Sequence, residues 1–526
     1  MSPRFLPFAL ATVSVFALTG CGSKDVQSAR DEVATMGELS PQIELPRGNS
    51  IGLKLFAQTI AVADETVRAQ SLDVEIARQE NLSAAAMFEP EFYAELNRLH
   101  EFKQVNAQEY RAAGGTAAST GDPDPFVSDS DTGKVGIKFG TKVGATVDLF
   151  YEMDVVANSL QIPASLPSPE YSARSGARVT VPLLRGRGKE VNTADIQIAG
   201  LDEAIAQEST RLVQAKRVYE GVRTYVMYQR AARKVSLREQ VLQQTDRLVS
   251  EIEKQVQSGL RNPGELTEAR AQLAERRALL TAALQERDEH LAAIQIFFVA
   301  IDGAYGRTFI PSDGLTASAG SKFALDGLDA IVQRRPEVNV QALEIEKREV
   351  ETILAEDATK SELTLNIEAA KSRLEADYVP FRQLFGAQNP YQTWRIGFEY
   401  RRGLNGGKRA DAELKSALLR EKQAELTMNA LRQKLAGEVN STKSIVIQAN
   451  RVLSEQSELV AEKRKLVQEE TEKEQAGFSS SVERISREID LLLSLEAEAD
   501  ALAQVQMAHN LSAHVGGKLL DAYGIK

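Results

Sequence analysis

The sequence predicts a mainly α protein with β-strands, built as two tandem repeats of long coiled-coil helices plus transmembrane strands. Three observations carry this. Apolar residues recur every seven positions through two long runs, the chain matches itself at large fixed offsets, and short segments alternate apolar and polar residues at corresponding places in both repeats.

The helices come first. Ile205, Leu212, Tyr219 and Val226 form one heptad column, continued after a phase shift by Val235, Leu242, Val249 and Val256. In the second half Val439, Val446, Leu453, Val460 and Val467 form a column beside Ile445, Val452, Leu459 and Leu466. Sustained heptads mean helices packed along their length. Val191 to Gln257 holds no proline and would span roughly 100 Å at the helical rise. Each long helix runs into a glycine turn, Ser258-Gly259-Leu260-Arg261-Asn262-Pro263-Gly264 and Ala476-Gly477-Phe478-Ser479-Ser480-Ser481, with Ser481 expected to cap the next helix. A returning helix follows each turn, and an opening helix begins each repeat, near Ile51–Met87 and Leu325–Ala358. Each of these four is about half the long length, so two end to end match one long helix.

The duplication is read from offsets. Val67, Gln70, Leu72 and Glu75 match Val338, Gln341, Leu343 and Glu346 at 338 − 67 = 271; Gly186 matches Gly406 at 406 − 186 = 220, and Gly259 matches Gly477 at 477 − 259 = 218. The one large fall, 271 − 220 = 51, places an insertion of that size in repeat 1, between Phe92 and Pro182.

The strands lie between opening and long helices. Trp394, Ile396, Phe398 and Tyr400 alternate with Arg395, Gly397, Glu399 and Arg401, and Leu363, Leu365 and Ile367 with Glu362, Thr364 and Asn366. In repeat 1, Val147, Leu149, Tyr151, Met153 and Val155 oppose Asp148, Glu152 and Asp154, while Val179, Val181 and Leu183 form another apolar face. The dyad pattern fits apolar-out, polar-in membrane strands, and by periodicity alone it fits equally a soluble sheet on a helical layer. After the N-terminal segment no apolar run is long enough for a transmembrane helix, so any crossing uses strands. One chain has too few to close a barrel; an oligomer closes one.

The N-terminus points to the envelope. Arg4, the uncharged run Phe5–Ala17 and the small residues before Cys21 have the layout of a secretory signal. Leu18-Thr19-Gly20-Cys21 resembles the bacterial lipobox, which implies thioether lipidation of Cys21, cleavage before it and acylation of the new amino group, palmitate among the chains, with outer-membrane lipid as the partner. Cys21 is the only cysteine, so no intramolecular disulfide exists. Gly22 behind it permits, by the same resemblance, sorting to the outer membrane. The expected organisation is a signal peptide at 1–20, a linker at 21–50, repeat 1 at 51–301 with an inserted outer loop near 93–181, a linker at 302–321, repeat 2 at 322–520 and a tail at 521–526.

This layout resembles the TolC-type outer-membrane efflux factors. The resemblance rests on the duplicated unit, on Arg335-Pro336-Glu337-Val338 at an opening helix, on Pro182-Leu183-Leu184-Arg185-Gly186-Arg187-Gly188 at a strand-to-helix join, and on a tip turn followed by Glu265 to Gln272; in repeat 2 Arg402 stands where the family's proline falls. It implies a homotrimer in which each protomer gives four strands to a twelve-stranded barrel and the helices build a periplasmic tunnel, a trimeric α-barrel/β-barrel duct. The repeat 1 insertion would supply an enlarged outer loop or an extra hairpin, with Ala112 to Thr132 composed as an exposed loop. It implies a passive exit duct of a tripartite efflux or type I secretion system, docked by a periplasmic adaptor and energised by an inner-membrane pump. Gly259, Leu260, Gly477 and Phe478 would be the adaptor contacts, against simple helix-turn chemistry. Glu483 falls where the family carries a gate acid, with Glu265 a second candidate for the ring, against ordinary solvated glutamates; Ser486 one turn on is not acidic.

Two other classes compete with this reading. An enzyme finds no support: His100, His290, His509 and His514 form no HExxH, and no P-loop, dinucleotide fingerprint or GxSxG is present. No cofactor and no metal site is expected. A coiled-coil lipoprotein tethering envelope layers without a pore explains Cys21 and the heptads but not the alternating strands. With 63 basic and 74 acidic residues the net charge is −11, which argues against a nucleic-acid partner.

Overall fold

A computed structural model describes residues 21–38, 48–112, 125–159, 169–298, 307–315, 326–386, 389–403 and 407–525. The expected signal peptide, Gly406 and much of the expected outer loop (113–124) lie outside the described residues. The expected linker after Cys21 opens with a helix, α1 (Cys21–Glu38). The remaining long helices are α2 (Leu53–Ala63), α3 (Glu65–Ala85), α4 (Ala194–Gln257), α5 (Pro263–Gln295), α6 (Pro336–Ala358), α7 (Lys408–Gln475) and α8 (Ser481–Val515). Two compact units result: a helical one built on 36–77, 201–345 and 423–526, and one holding 78–200 and 346–422, which contains a sheet.

In the helical unit the heptad columns of α4 and the Val439–Val467 column of α7 become buried or half-buried seams, whereas the adjacent α7 column, Ile445, Val452, Leu459 and Leu466, is exposed on the chain. The single opening helix expected in repeat 1 is two, because Asp64 breaks it with extended backbone (φ −64, ψ 129). Its carboxylate accepts from Thr66 N at 3.0 Å, capping α3, and from Arg217 Nη2 at 2.7 Å. Burial opposes charge at Asp64, but the Arg217 hydrogen bonds outweigh it and hold the carboxyl below its usual range. Near the middle of α4, Val218, Val222 and Tyr225 are buried with Phe56 and Ile60 of α2 and with Ile294, Phe297 and Phe298 at the end of α5. Here α2 and α4 approach so closely that a Cβ on Gly221 would lie 2.1 Å from Ile60 Cδ1. The second half repeats the arrangement: Val439 of α7 meets Ile331, ahead of α6, and Val515 at the end of α8. There the buried Arg335 donates to His514 O at 3.3 Å and Val515 O at 3.2 Å, a cation on exposed helix-terminal carbonyls. Further along, Leu248, Val249 and Ile252 of α4 pack with Ala269 and Leu273 of α5 and Val482 and Ile485 of α8. Arg238 of α4 locks α8 through Glu496 at 2.8 Å.

His514 yields a pH test. Its ring stacks on Tyr219 at 4.8 Å and its Nδ1 has no hydrogen-bond partner. Burial, with the Arg335 charge adding, pushes it down to about 4 from 6.5. A histidine depressed in the folded state contributes stability that is fully present above its unfolded pKa and lost as pH falls through the folded one. The helical unit should therefore weaken between pH 6.5 and about 4, by about 3 kcal/mol. Melting temperature against pH, compared with His514→Phe, reads this; equal slopes for both proteins would show that His514 does not titrate in this way.

The other unit is organised by one antiparallel meander: β1 (Glu91–Lys103), β2 (Phe126–Gly140), β3 (Thr146–Asn158), β4 (Glu170–Pro182), β5 (Glu362–Glu375) and β6 (Gln392–Arg401), in sheet order 1-2-3-4-5-6. The resemblance implies four strands per chain; the sheet has six. The repeat 1 insertion is a paired hairpin, and Phe126–Thr132, expected in an exposed loop, is strand. Their turn-like composition is overridden because every residue from Phe126 to Lys138 has a partner on β1, with side-chain support from Arg98–Asp131 at 3.5 Å and Thr132–Asp154 at 2.7 Å.

Candidate functional site: the sheet faces and the helix tips

Registration makes the two faces of the sheet chemically distinct. On one, Phe92, Ile137, Leu149 and Ala177 are successive cross-strand partners, as are Val147, Val179, Ile367 and Ile396. Leu365 with Phe398 and Ala369 with Trp394 extend this apolar face to β6, where Trp394 is 74% exposed. At its far end the β5–β6 connection folds over it: Val379 and Leu384 are buried with Tyr171 and Ala173, and Tyr151 Oη donates to Val379 O at 2.6 Å.

The opposite face is polar and charged. Arg174 and Arg178 both pair with Glu368, the latter at 3.1 Å. Both guanidiniums also lie on the Phe150 ring, 5.5 and 5.6 Å from its centroid. Tyr93 Oη donates to Asp148 at 2.8 Å, and Thr180 Oγ1 to Asn366 at 3.0 Å. Asp148, Glu152, Arg395 and Glu399 were read from alternation. Lys134, Lys138, Arg174 and Arg178 were missed, although the first pair alternates with Val135, Ile137 and Phe139.

The two helix tips share one design. Gly259 and Gly477 have φ +73° and +77°, open to glycine but strained for other residues. Leu260 N donates to Gln255 O and Gly259 N to Val256 O, at 2.8 and 3.0 Å; Phe478 N donates to Lys473 O and Gly477 N to Glu474 O at the same distances. Both are Schellman ends, and each lifts a large apolar side chain into solvent, Leu260 at 77% and Phe478 at 86% exposure.

The gate candidates Glu265 and Glu483 have a structural task. Each is the third residue of its helix and closes a capping box, with Asn262 and with Ser480. The cap is thus Ser480, not Ser481: Ser480 has extended backbone, and its Oγ accepts from Glu483 N at 3.4 Å. Arg261 stands by both acids, 2.8 Å from Glu265 and 3.9 Å from Glu483. Among the described residues no group of acids, histidines and cysteine is placed to hold a metal ion, and no helix is long and apolar enough to cross a membrane.

No protein-family profile and no curated protein matches the chain. Solved structures do. A membrane protein from Pseudomonas aeruginosa superposes with a TM-score of 0.60 at 17% identity, over 88% of this chain and 92% of that one. The outer membrane protein VceC of Vibrio cholerae gives 0.57 at 14%, over 90% and 96%. The MtrE outer membrane channel of Neisseria gonorrhoeae, in its open state, gives 0.57 at 14%, over 91% and 97%. These likenesses bear out the mainly helical fold with a sheet that the sequence predicts, and the MtrE neighbour is an outer membrane channel.

Proposed function

We propose that this chain, which has the fold of the TolC-type outer-membrane channels, is an outer-membrane exit duct of a tripartite efflux or type I secretion system. Three copies join their sheets into a closed wall, apolar face to lipid and charged face to water. The helices extend into the periplasm as a passive tunnel, an adaptor docks at Gly259, Leu260, Gly477 and Phe478, and an inner-membrane pump supplies the energy. The lipid on Cys21 supplements the barrel as an anchor. The observation that carries this reading is the six-stranded sheet with one apolar and one charged face and with both edges, β1 and β6, bearing no further strand among the described residues. Such a sheet in water would expose far more contiguous apolar surface than a soluble monomer carries and two unpaired edges; a ring of copies in lipid removes both problems. Glu483 and Glu265 remain in the proposal as an acidic ring at the tunnel mouth, held in place by their caps. Purified protein should have the native mass of three chains and give discrete conductance steps in planar bilayers. A monomer or labile oligomer that gives no steps would instead favour a tethering lipoprotein.

A further inference from the structure

We infer that all six strands enter the wall, so that three copies close a barrel of 3 × 6 = 18 strands, wider than the twelve-stranded one the resemblance implies, with β6 of each copy paired to β1 of the next. This rests on the ring-forming channel reading above.

Strand direction is the first support. The meander starts with β1 leaving a helix and ends with β6 returning to one, so the two edges run oppositely, and head-to-tail repetition makes an ordinary antiparallel pair. The second support is the stagger. Glu91, Lys138, Asp148, Arg178, Glu368 and Arg395 are successive cross-strand partners. Glu91 is the first residue of β1, whereas Arg395 lies 401 − 395 = 6 residues inside the end of β6. A climb of 6 residues over 6 strands corresponds to a tilt of roughly 35°, the value that closed barrels require. A stagger this regular from the inserted hairpin onward places β1 and β2 in the same wall as the rest.

The third support is chemistry at the seam. With the helix-proximal ends level, Glu91 falls beside Arg401 of the next copy, Glu95 beside Gly397, Leu96 beside Ile396 and Asn97 beside Arg395. Acid meets base on the charged face and apolar meets apolar on the other, so both faces continue unbroken. The sheet's own row already alternates in charge, from Glu91 through Lys138, Asp148, Arg178 and Glu368 to Arg395. At a tilt of roughly 35° the backbone diameter of such a barrel is roughly 34 Å, against roughly 23 Å for twelve strands, in the range where barrels keep an aqueous channel. The added hairpin then supplies Lys134 and Lys138 to the lumen.

Cysteine cross-linking in the full-length protein tests this, with Cys21, the only native cysteine, kept lipidated or replaced by serine. Gly397→Cys is combined with Tyr93→Cys, Glu95→Cys or Asn97→Cys on β1, and separately with Glu152→Cys on β3; the single variants control for folding. Linkage of β6 to β1, giving a ladder ending at three chains with the strongest yield for the Glu95 pair, is expected. Linkage to Glu152→Cys instead would mean that β1 and β2 stand outside the wall and would overturn the inference. So would a trimer by mass with no β1–β6 link, or a β1–β6 link confined to single chains. Absence of any trimer defeats the channel reading itself.

Discussion

Ile396→Arg is expected to abolish assembly in the outer membrane, while Gly397→Arg, one residue along, leaves it intact. Ile396 lies on the apolar face between Trp394 and Phe398, opposite Ile367 on β5. If that face meets lipid, an arginine there costs about 2–4 kcal/mol per copy, incurred three times in a symmetric ring, which is comparable to the whole stability of an ordinary domain. Gly397 points to the charged face, and a Cβ there meets nothing within 4 Å, so the same cation enters water. The measurement is the fraction of protein recovered as a folded trimer from outer membranes. Equal recovery of the two variants would mean that the apolar face does not face lipid, and the reverse order would mean that the faces had been assigned the wrong way round.

The contrast between these neighbouring residues was legible in the sequence, because a dyad pattern survives wherever both faces are uniform. Trp394 to Arg401 is such a segment, and Val147 to Val155 is one but for Phe150 on its charged face. The inserted hairpin was harder to see for a physical reason. On β1 the apolar set Phe92, Ala94 and Leu96 gives way to Arg98 and His100, and on β2 Asp129 and Asp131 occupy the same face. These charges satisfy one another across the strands, Arg98 with Asp131 and His100 with Asp129 at 2.8 Å, so the pattern becomes intelligible only once the pairing is known. The long helices pose no such problem: their seams are intrinsic to one segment, and α4 ends at Gln257, as the glycine turn requires. The breaks at Asp64 and ahead of Pro336, where the expected Leu325–Ala358 helix is a short Leu328–Val332 helix followed by α6, carry local signals, a capping aspartate and a first-position proline, while the contacts that hold them, Arg217 and the end of α8, are tertiary. At the tips, glycine position fixed the turn. The double duty of Glu265 and Glu483 as helix caps is an Asn/Ser-x-x-Glu spacing that was open to view in Asn262 and Ser480.

That double duty decides how the tips are to be probed. Leu260→Asp combined with Phe478→Asp should eliminate adaptor binding while trimer yield and thermal stability stay unchanged. Neither side chain supports its own turn: both are almost wholly in solvent, and the Schellman bonds use only their backbone N–H groups. Exposed apolar groups of this size gain about 1.5–3 kcal/mol each when a partner buries them, and a ring of three copies offers six, so their loss should weaken docking by well over tenfold. Glu265→Gln and Glu483→Gln form the comparison. Glutamine keeps an acceptor for the cap and removes the charge, so these variants should retain adaptor binding and, if the acids line the tunnel mouth, change cation selectivity in bilayers. Binding to the purified adaptor, measured by titration, separates the two pairs. Unimpaired binding by the Leu260/Phe478 double variant would reduce the tip residues to turn chemistry alone. Lost binding in the glutamine variants would make charge, rather than apolar contact, the basis of docking.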